Sequence, residues 1–430
     1  MDNIIEELKW RGLVHDIKPG TEEQLLKEPT AVYIGFDPTS DSLHIGSLVP
    51  IILLKHLRNF GHQPIALVGG ATGMIGDPSG KSKERNLLDE QALSINVEGI
   101  KQVLSKFLDF DAKDDQKPIL VNNYDWMKSF SFIDFVREVG KRITVNYMMA
   151  KDSVKKRLSA DQSEGMSFTE FTYQLIQGYD FYYLHKNYHC LAQMGGSDQW
   201  GNITTGTELI RRMNSEQTEA FAMTCPLITK SDGSKFGKSE SGNVWLTEDK
   251  TSAYKFYQFW LKTTDQDAEK YLKIFTFLDK QTIESIIAEH QDAPHQNLIQ
   301  KKLAKELTLF VHGQSKYEQA LKASAILFGK SSADDIKSLN EQDFLEVFEG
   351  VSQSTFSKSE LTTIGLLDFL SKTGFMPSNS EARRQLKQNA ISINKEKIKD
   401  SYKVSEIELI NDKFILLQKG KKDYFIVICE

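Results

Sequence analysis

The chain reads VYIGFDPTSDSLHIG from Val32 to Gly46, and this stretch decides the fold. The short apolar run at its start favours a β-strand, and the Asp-Pro-Thr-Ser that follows favours a turn. His-Ile-Gly then opens an apolar stretch with helical spacing. An open parallel sheet binds its ligand where such a strand runs into a helix, outside the carboxyl end of the strand. We therefore expect an α/β fold with a ligand site at this connection.

The first half of the chain repeats this alternation of strand and helix. Helical stretches separate further short β-rich runs at residues 64–68, 119–122, 190–194 and 226–229. Such alternation indicates a parallel sheet with right-handed crossovers. The pattern predicts a Rossmann-like parallel-sheet catalytic domain over residues 1–247.

The second half of the chain has a different pattern. From about residue 251 to residue 329 helical spacing dominates, which predicts an α-helical domain over residues 248–328. A polar stretch follows and indicates a linker at residues 329–349. The final segment mixes helix with short strands at residues 391–394, 414–418 and 424–428. It predicts a small α+β domain over residues 350–430.

The composition is that of an ordinary globular protein, with 40% apolar and 26% charged residues in a chain of 430. The acidic N-terminus has no long apolar core, and Lys55 interrupts the apolar stretch that begins at Leu48. Neither a signal peptide nor a membrane span is indicated, so we expect a cytoplasmic protein with no membrane contact. Its three scattered cysteines form no Cys-x-x-Cys pair, which argues against a disulfide framework and a structural metal site.

The formal net charge of -6 is unevenly spread. Residues 351–430 carry 13 Lys and Arg against 10 Asp and Glu, a local charge of +3 that leaves -9 for the rest. Phosphate contacts need a local basic patch rather than a basic whole. The balance therefore permits an RNA-binding tail on an acidic enzyme.

Two glycine-rich stretches look like nucleotide-binding loops but lack a required glycine. A phosphate-binding P-loop needs glycine where Ile75 stands in GMIGDPSGKS and where Asp232 stands before GSKFGKS. Thr72 likewise occupies the second glycine position of a dinucleotide-binding loop. Kinase-like and dehydrogenase functions therefore lose their main support. Lys and Gly on such loops instead suit chemistry at an α-phosphate, such as adenylation of a carboxylate, for which positioning and electrostatics suffice.

A second motif, KFGKS at residues 235–239, answers the HIG motif. Together they resemble the paired signatures of class I aminoacyl-tRNA synthetases, whose usual forms are His-Ile-Gly-His and Lys-Met-Ser-Lys-Ser. Further blocks narrow the resemblance to the bacterial tyrosyl-tRNA synthetase family. These are YIGFDPT (33–39), GGATG and GDPSG (69–73 and 76–80), FTYQLIQGYD (171–180) and QMGGSDQWGN (193–202). Ordered blocks of this length do not arise together by chance.

The resemblance implies a set of site residues. Tyrosine would be bound at its phenolic hydroxyl by Tyr33 and Asp180 and at its α-ammonium group by Asp77, Tyr173 and Gln177, with Gln199 beside it. ATP and the adenylate would contact Asp37, Thr39, His44, Gly46, Ser47, Gly196, Asp198, Gln199, Lys235, Phe236, Gly237, Lys238 and Ser239, with Asp198 on the ribose. The expected catalytic residues are His44, Thr39, Lys235 and Lys238, and the possible further polyphosphate contacts are Lys81 and Arg85. ATP with Mg²⁺ is the expected cosubstrate, and no structural metal is expected.

Each of these residues also has a structural interpretation. Tyr33 inside a strand is by default a core aromatic residue, and Asp180 could be a structural carboxylate. His44 could cap the helix that follows it, and Lys81 with its neighbours could lie on a solvated surface. The surrounding blocks favour the functional assignment. Ser47 stands where the family often has a second histidine; serine still donates a hydrogen bond, which predicts weaker reliance on this position with activity retained.

The C-terminal segment resembles the S4-like RNA-binding domain of the same family through SEARRQLKQ (380–388) and ISINK (391–395). A basic helix beside a small sheet can follow an RNA backbone, so we expect Arg383, Arg384 and Lys387 to contact tRNA. A solvated helix face is the alternative. The resemblance also implies a homodimer joined through residues 119–161.

The function implied by the resemblance is tyrosine-tRNA ligation. Tyrosine would react with ATP to give tyrosyl-adenylate and pyrophosphate, and would then be transferred to the 3′ end of tRNA(Tyr). Three alternatives remain at this point. A catalytically inert RNA-binding paralogue would lose signature residues, a tryptophanyl-tRNA synthetase would not need a phenol-binding pair, and a small-molecule nucleotidyltransferase would not need domains beyond the first.

Overall fold

The computed structural model describes residues 3–79, 88–158, 165–214, 218–233, 236–239, 242–327, 333–349, 351–420 and 423–430. The chain forms two compact units. The first comprises residues 1–250 and 263–303, and the second comprises residues 251–262 and 304–430. The predicted bounds of the catalytic, α-helical and S4-like domains stay predictions.

The first unit is built on a five-stranded sheet. Its strands are β1 (Ala31–Phe36), β2 (Gln63–Val68), β3 (Ile119–Asn122), β4 (Cys190–Gly196) and β5 (Phe221–Cys225). Their order is β3-β2-β1-β4-β5, and all neighbouring pairs are parallel. Successive strands are added on one side of β1 and then on the other, so the topological switch point lies between β1 and β4. The predicted Rossmann-like α/β fold is confirmed.

One predicted strand of this sheet is wrong. The sequence predicted the fifth strand at residues 226–229, whereas the structure has it at Phe221–Cys225, where all five residues are buried. Pro226 has no N–H to donate to a neighbouring strand, so the ladder ends before it. Leu227, inside the predicted strand, is 56% exposed.

The remaining regular structure of the first unit is mostly helical, and side chains of Asp89 and Ser167 cap two of the helices. In chain order, the helices of the described residues in both units are α1 (Ile4–Trp10), α2 (Thr21–Lys27), α3 (Leu48–Asn59), α4 (Thr72–Ile75), α5 (Glu90–Phe107), α6 (Tyr124–Met127), α7 (Phe132–Glu138), α8 (Val145–Met149), α9 (Asp152–Leu158), α10 (Phe168–Tyr188), α11 (Trp200–Met213), α12 (Ala253–Leu261), α13 (Asp265–Phe275), α14 (Lys280–Asp292), α15 (Leu298–His312), α16 (Gln314–Leu327), α17 (Ala333–Lys337), α18 (Glu341–Val347), α19 (Leu366–Lys372) and α20 (Asn379–Lys387). Short 3₁₀ helices lie at Ile45–Ser47, Gly140–Arg142, Ser197–Gln199, Pro294–Gln296, Lys358–Thr362 and Val404–Glu406. A two-stranded hairpin is formed by β6 (Lys238–Ser239) and β7 (Gly242–Asn243).

A buried cluster fixes helix α10 against the sheet. Tyr33 of β1 and Leu67 of β2 pack with Phe181 and Leu184 of α10, and each of the four is at most 3% exposed. Burial of each such side chain contributes about 1.5–3 kcal/mol. The cluster therefore packs α10 against β1 and β2.

The second unit contains a five-stranded mixed sheet. Its strands are β8 (Gln353–Phe356), β9 (Ile391–Ile393), β10 (Glu396–Lys397), β11 (Phe414–Lys419) and β12 (Asp423–Cys429), in the order β10-β9-β11-β12-β8. The sequence predicted β9, β11 and β12 to within a residue or so and missed β8 and β10. In the described part of residues 251–327 the regular structure is entirely helical, as predicted.

The segment predicted as a linker contains two helices, α17 and α18. Phe344 and Phe348 of this segment are fully or almost fully buried and pack with Phe414 of β11. Aromatic side chains buried in this way belong to a core. Residues 333–349 are therefore part of the packed second unit rather than an extended connection.

Candidate active site

Asp180 lies on α10 and is 1% exposed. Its two carboxylate oxygens accept hydrogen bonds from Asn123 Nδ2 and Trp126 Nε1, each at 2.9 Å. The pKa of Asp180 is raised to about 7 in total. Burial is the main cause, the two hydrogen bonds partly offset it, and the charge of Asp37 adds to it. Each oxygen can accept a further hydrogen bond, so this carboxylate can take a hydroxyl from a ligand.

Tyr33 lies on β1 and is 1% exposed. Its hydroxyl lies near the side chain of Gln193, the residue opposite it on β4, and neither the hydroxyl nor Oε1 of Gln193 makes a hydrogen bond of ordinary geometry among the described residues. Burial, and then the charge of Asp180, raise the pKa of Tyr33 well above its usual value, so the hydroxyl stays protonated. Buried polar atoms without partners are rare in proteins, and here they fit a polar ligand group.

Asp37 follows β1 directly and joins two helices. Its Oδ1 accepts a hydrogen bond from Thr72 Oγ1 of α4 at 2.7 Å, and its Oδ2 accepts one from Tyr173 OH of α10 at 2.8 Å. Gly69 makes this approach possible, because a Cβ there would fall 2.3 Å from Asp37 Oδ1. Two predicted ligand residues, Asp37 and Tyr173, are thereby joined to each other. Thr39 lies in the same loop, is exposed, and donates its N–H to the carbonyl of Asp37.

Asp77 is 9% exposed and is tied to the start of α11. Its Oδ2 accepts a hydrogen bond from Gln199 Nε2 at 2.6 Å, and its Oδ1 accepts one from Asn202 Nδ2 at 3.3 Å. The structure thus brings Asp77 and Gln199 together, as expected for two residues of one tyrosine site. Gln177 lies one helical turn after Tyr173 on α10, so these two side chains share a face of the helix.

His44 is exposed and precedes the 3₁₀ helix Ile45–Ser47. Its Nδ1 accepts a hydrogen bond from the N–H of Gly46 at 3.0 Å, which is the capping role that the sequence allowed. A Cβ at Gly46 would fall 2.7 Å from the imidazole, so glycine lets the ring fold back over the backbone. The other ring nitrogen is not engaged in this cap. Ser47 ends the 3₁₀ helix, and its side chain makes no cap hydrogen bond to α3.

The two signature segments lie side by side. A Cβ at Gly237 would lie 3.8 Å from the backbone nitrogen of Gly46. The chain that follows pairs with the first segment, because Ile45 donates its N–H to the carbonyl of Val244 at 2.9 Å. Segments far apart in sequence therefore form one surface at the switch point. Phe236 is half-buried and contacts α13.

The predicted ribose contact follows β4. Asp198 is in the 3₁₀ helix Ser197–Gln199, and a Cβ at Gly196 would fall 2.5 Å from Asp198 Oδ1. Glycine at this position therefore allows the carboxylate to lie over the end of β4. Because β4 adjoins β1 in the sheet, this carboxylate belongs to the switch-point side of the first unit.

Some predicted phosphate contacts cannot be located. Lys81, Arg85 and Lys235 lie outside the described residues, and only the backbone of Lys238 and Ser239 is described. Their assignment to ATP stays a prediction.

The predicted tRNA contacts lie on α20 in the second unit. Arg383, Arg384 and Lys387 are all exposed there. Arg384 donates to Glu381 Oε1 at 2.7 Å, and this bond raises the pKa of the guanidinium. The helix thus presents three cations, of which Arg384 is paired on the surface.

Across the described parts of the chain, no group of three or more His, Cys, Asp or Glu side chains could hold a metal ion. Cys190, Cys225 and Cys429 are free and buried, and burial raises the pKa of each thiol. No helix in the described ranges is both long enough and apolar enough to cross a membrane.

Comparison with known proteins decides the family. The model for class I tRNA synthetases (W and Y) matches residues 25–329, and that for the tyrosine-tRNA ligase SYY-like C-terminal domain matches residues 343–427. The chain is 69% identical over 429 residues to a tyrosine-tRNA ligase of Flavobacterium johnsoniae, with 99% of each chain covered. The chain belongs to the tyrosine-tRNA ligase family. A relative from Porphyromonas gingivalis with the same name is 57% identical over 431 residues, with 100% of each chain covered.

Solved structures of related synthetases resemble this chain to different degrees. A C-terminally truncated mitochondrial tyrosyl-tRNA synthetase from Aspergillus nidulans is 30% identical with a TM-score of 0.68, covering 76% of this chain and 95% of that one. A tryptophanyl-tRNA synthetase from Encephalitozoon cuniculi bound to tryptophan is 15% identical with a TM-score of 0.53, covering 80% and 90%. The second likeness shows the shared fold alone. The resemblance read from the sequence motifs is confirmed.

Three residues of this site were missed at the sequence level: Asn123, Trp126 and Gln193. Asn123 and Trp126 follow β3, where polar residues at the carboxyl end of a parallel strand are a signal for a site. That rule would have suggested Asn123. Gln193 begins the motif QMGGSDQWGN, and only the register of β1 against β4 shows that it stands opposite Tyr33.

Proposed function

We propose that this chain joins tyrosine to tRNA(Tyr) in two steps at the switch point of its parallel sheet. In the first step the carboxylate of tyrosine attacks the α-phosphorus of ATP, and pyrophosphate leaves. In the second step a hydroxyl at the 3′ end of tRNA attacks the carbonyl carbon of tyrosyl-adenylate, and AMP leaves. The single observation that carries the choice of tyrosine is the buried pair of Tyr33 and Asp180, which offers an acceptor and a free hydroxyl to a phenol.

The first step needs no general base, because the attacking carboxylate is already an anion. The protein contributes position and charge. Asp77, Tyr173 and Gln177 would hold the α-ammonium group, so that the carboxylate points away from α10. His44 and the backbone of Gly46 would lie at the phosphates, and Lys235 and Lys238 would meet the charge that develops on pyrophosphate.

ATP would enter with Mg²⁺ on its phosphate oxygens. Such an ion is held mostly by phosphates and water and needs few protein ligands, so it arrives as part of the substrate. The carboxylate of Asp198 would accept hydrogen bonds from the ribose hydroxyls. Gly46 and Gly196 leave room for the side chains of His44 and Asp198 to lie over the backbone, where they would face the nucleotide.

Rejection of phenylalanine follows from the same pocket. Phenylalanine would leave Tyr33 and Asp180 without their ligand partner in a buried site, which costs binding energy. Tyrosyl-tRNA synthetases are already known to discriminate against phenylalanine by about 10⁵-fold. Tryptophan would place an N–H rather than a phenol in the pocket. An inert paralogue would show no reaction with any amino acid.

The test is ATP-pyrophosphate exchange with tyrosine, phenylalanine and tryptophan, repeated with Asp180→Asn. We expect exchange with tyrosine alone and a loss of discrimination in the variant. Asp125→Asn is the matched control, because Asp125 is exposed on the neighbouring helix α6 and pairs with Lys128 at the surface. Absence of exchange in the unmodified protein would favour an RNA-binding paralogue, and exchange with tryptophan would favour the sister enzyme.

We propose that two copies of the chain form a homodimer through the segment at residues 119–161. Support comes from exposed apolar side chains on α7 and α8, where Phe132 is 67%, Ile133 62% and Val145 58% exposed. A monomer rarely leaves such a cluster in water. Ile133→Glu should shift the mass measured by light scattering from two chains to one, whereas Ile95→Glu, at a residue 56% exposed on α5, should not. A dimer that survives Ile133→Glu at low concentration would contradict this interface.

We propose that residues 350–430 form an S4-like domain and that its helix α20 binds tRNA. Its three cations suit a phosphate backbone, and removing any one of these charges should weaken binding and reduce its salt dependence. Arg383→Gln should raise the KM for tRNA without changing pyrophosphate exchange.

Since tRNA charging serves translation, we place the chain in the cytoplasm, which cell fractionation would test.

A further inference from the structure

The stretch that leads into the second signature segment is bound to α13. Asp267, in the first turn of α13, accepts hydrogen bonds from the N–H of Ser231 at 2.9 Å and from its hydroxyl at 3.1 Å. Lys270 donates to the carbonyl of Thr229 at 3.3 Å. The chain before the signature segment is therefore attached to one end of this helix.

Phe236, inside the signature segment, packs on the same helix. Its ring lies 5.1 Å from that of Tyr271 and is stacked 5.3 Å from that of Phe275, with an interplanar angle of 18°. Tyr271 and Phe275 are each 1% exposed. Asp267, Tyr271 and Phe275 are four residues apart and share one stripe of the helix. A single helix face thus contacts the chain at Ser231 and again at Phe236.

Helix α13 is itself held firmly. Arg11, 3% exposed, donates hydrogen bonds to the carbonyls of Lys273, Thr276 and Leu278, each at 2.7 Å, at the C-terminal end of the helix. Its guanidinium also pairs with Glu7 at 2.6 Å. Three carbonyl contacts from one buried side chain make α13 a fixed surface for the signature segment.

The residue after Phe236 turns towards the first signature segment. Gly237 has a φ of +93°, which favours glycine, and its carbonyl accepts the N–H of Val244 at 3.1 Å. Gly237 also lies against Ile45 and Gly46. Adjacent residues therefore contact different partners: Phe236 contacts α13 and Gly237 contacts the HIG motif.

We propose that Phe236, packed against Tyr271 and Phe275, is a positioning residue that holds the second signature segment against the first for the adenylation step. The inference rests on the proposed function. Phe236 stands where the usual signature has methionine, a flexible side chain, whereas a ring packed on two other rings has few orientations. Its packing fixes the backbone of Phe236 and Gly237. Lys238, which would meet the leaving pyrophosphate, follows directly.

Phe236→Ala tests the proposal in the full-length enzyme. We expect the rate of ATP-pyrophosphate exchange to fall about ten- to a hundredfold and the KM for ATP to rise. The Kd for tyrosine, measured by equilibrium dialysis, should stay unchanged because the tyrosine pocket is built by other elements. Transfer of tyrosine from preformed adenylate to tRNA, measured in a single turnover, should also stay unchanged.

Further variants separate positioning from general damage. Phe236→Met should restore exchange to within about threefold, because a long apolar side chain fills the same space. Tyr271→Ala should reproduce the Phe236→Ala effect, and the double variant should be little worse than either single one. Phe277→Ala is the matched control, since Phe277 follows α13 and its ring packs on His56 instead, 5.0 Å away. It should leave the KM for ATP unchanged.

Two results would overturn the proposal. One is unchanged exchange in Phe236→Ala while the unmodified enzyme is active. The other is an equal loss of tyrosine binding, thermal stability and exchange, which would make Phe236 an ordinary core residue. Absence of exchange in the unmodified enzyme would instead overturn the proposed function, so the two failures are distinguishable.

Discussion

Replacing Trp126 by Phe should move the pH dependence of tyrosine binding upwards. Trp126 Nε1 donates one of the two hydrogen bonds to Asp180, at 2.9 Å, and its ring stacks on Tyr183 with centroids 4.4 Å apart. Phenylalanine keeps an aromatic ring against Tyr183 and removes only the donor. The carboxylate is then buried with a single donor from Asn123.

The size of the shift follows from the missing hydrogen bond. A hydrogen bond to a charged group is worth about 1.5–3 kcal/mol, and 1.36 kcal/mol corresponds to one pKa unit. Burial already raises the pKa of Asp180 to about 7. Losing the donor should raise it by about one to two units further. At neutral pH the carboxylate would then be mostly protonated and less able to accept the phenolic hydroxyl.

The assay is the KM for tyrosine in pyrophosphate exchange between pH 6 and pH 8.5. In the unmodified enzyme the KM should rise as the pH falls through about 7. In Trp126→Phe the same rise should begin about one to two units higher. Trp260→Phe, the same change at a buried residue of the second unit, should leave the profile where it was. A Trp126→Phe profile that is merely scaled, with an unchanged midpoint, would refute the role of this hydrogen bond.

Three further perturbations follow from the first unit. Gly69→Ala would put a Cβ 2.3 Å from Asp37 Oδ1, so we expect a higher KM for tyrosine and a loss of about 1–3 kcal/mol in urea unfolding; wild-type values would show that the loop gives way. Glu170→Ala leaves Arg157 unpaired in a pair whose side chains are 3% and 2% exposed, and should cost about 3–5 kcal/mol by the same method. The pKa of Asp180 is raised in the folded state, so its protonation stabilises the fold at low pH, and this contribution is lost as the pH rises through about 7. Going from pH 8 to pH 5.5 should therefore stabilise the wild type relative to Asp180→Asn by about 2 kcal/mol. Equal pH profiles of unfolding for the two proteins would contradict this.

The fold was largely predictable because its signals are local. The strand that leads to Asp37 and the helix that follows His44 can each be predicted from a few consecutive residues. The exception, the fifth strand, shows the limit: residues 221–225 and 226–229 both look apolar, and the missing N–H of Pro226 decides between them. Helices α17 and α18 were not predicted because the polar residues before them looked like a linker. Phe344 and Phe348 pack against strands that lie much later in the chain, and the local sequence does not show this contact.

The site was predictable as a set of motifs and not as a set of contacts. Motifs indicated that Tyr33 and Asp180 belong together, and the structure adds that Asn123 and Trp126 hold the carboxylate. Those partners come from α6 and the residue before it, which follow β3, and only the strand order brings this segment to α10. Likewise, no local pattern tells that Phe236 meets α13. Contacts between distant segments depend on packing, which short-range patterns do not encode.

The two halves of the reaction site differ in how far they are organised before substrate binds. Asn123 Nδ2 donates to both Asp180 and Thr72, at 2.9 and 3.1 Å, Thr72 donates to Asp37, and Tyr173 donates to the other oxygen of Asp37. This chain of hydrogen bonds links the end that would bind the phenol to the end that would bind the ammonium group. A tyrosine bound at the proposed site would meet polar groups that are already oriented, so little free energy would be lost in ordering them, which favours selection at binding. The proposed phosphate half would depend instead on a segment attached through Phe236, so changes there should act on rate more than on the choice of amino acid.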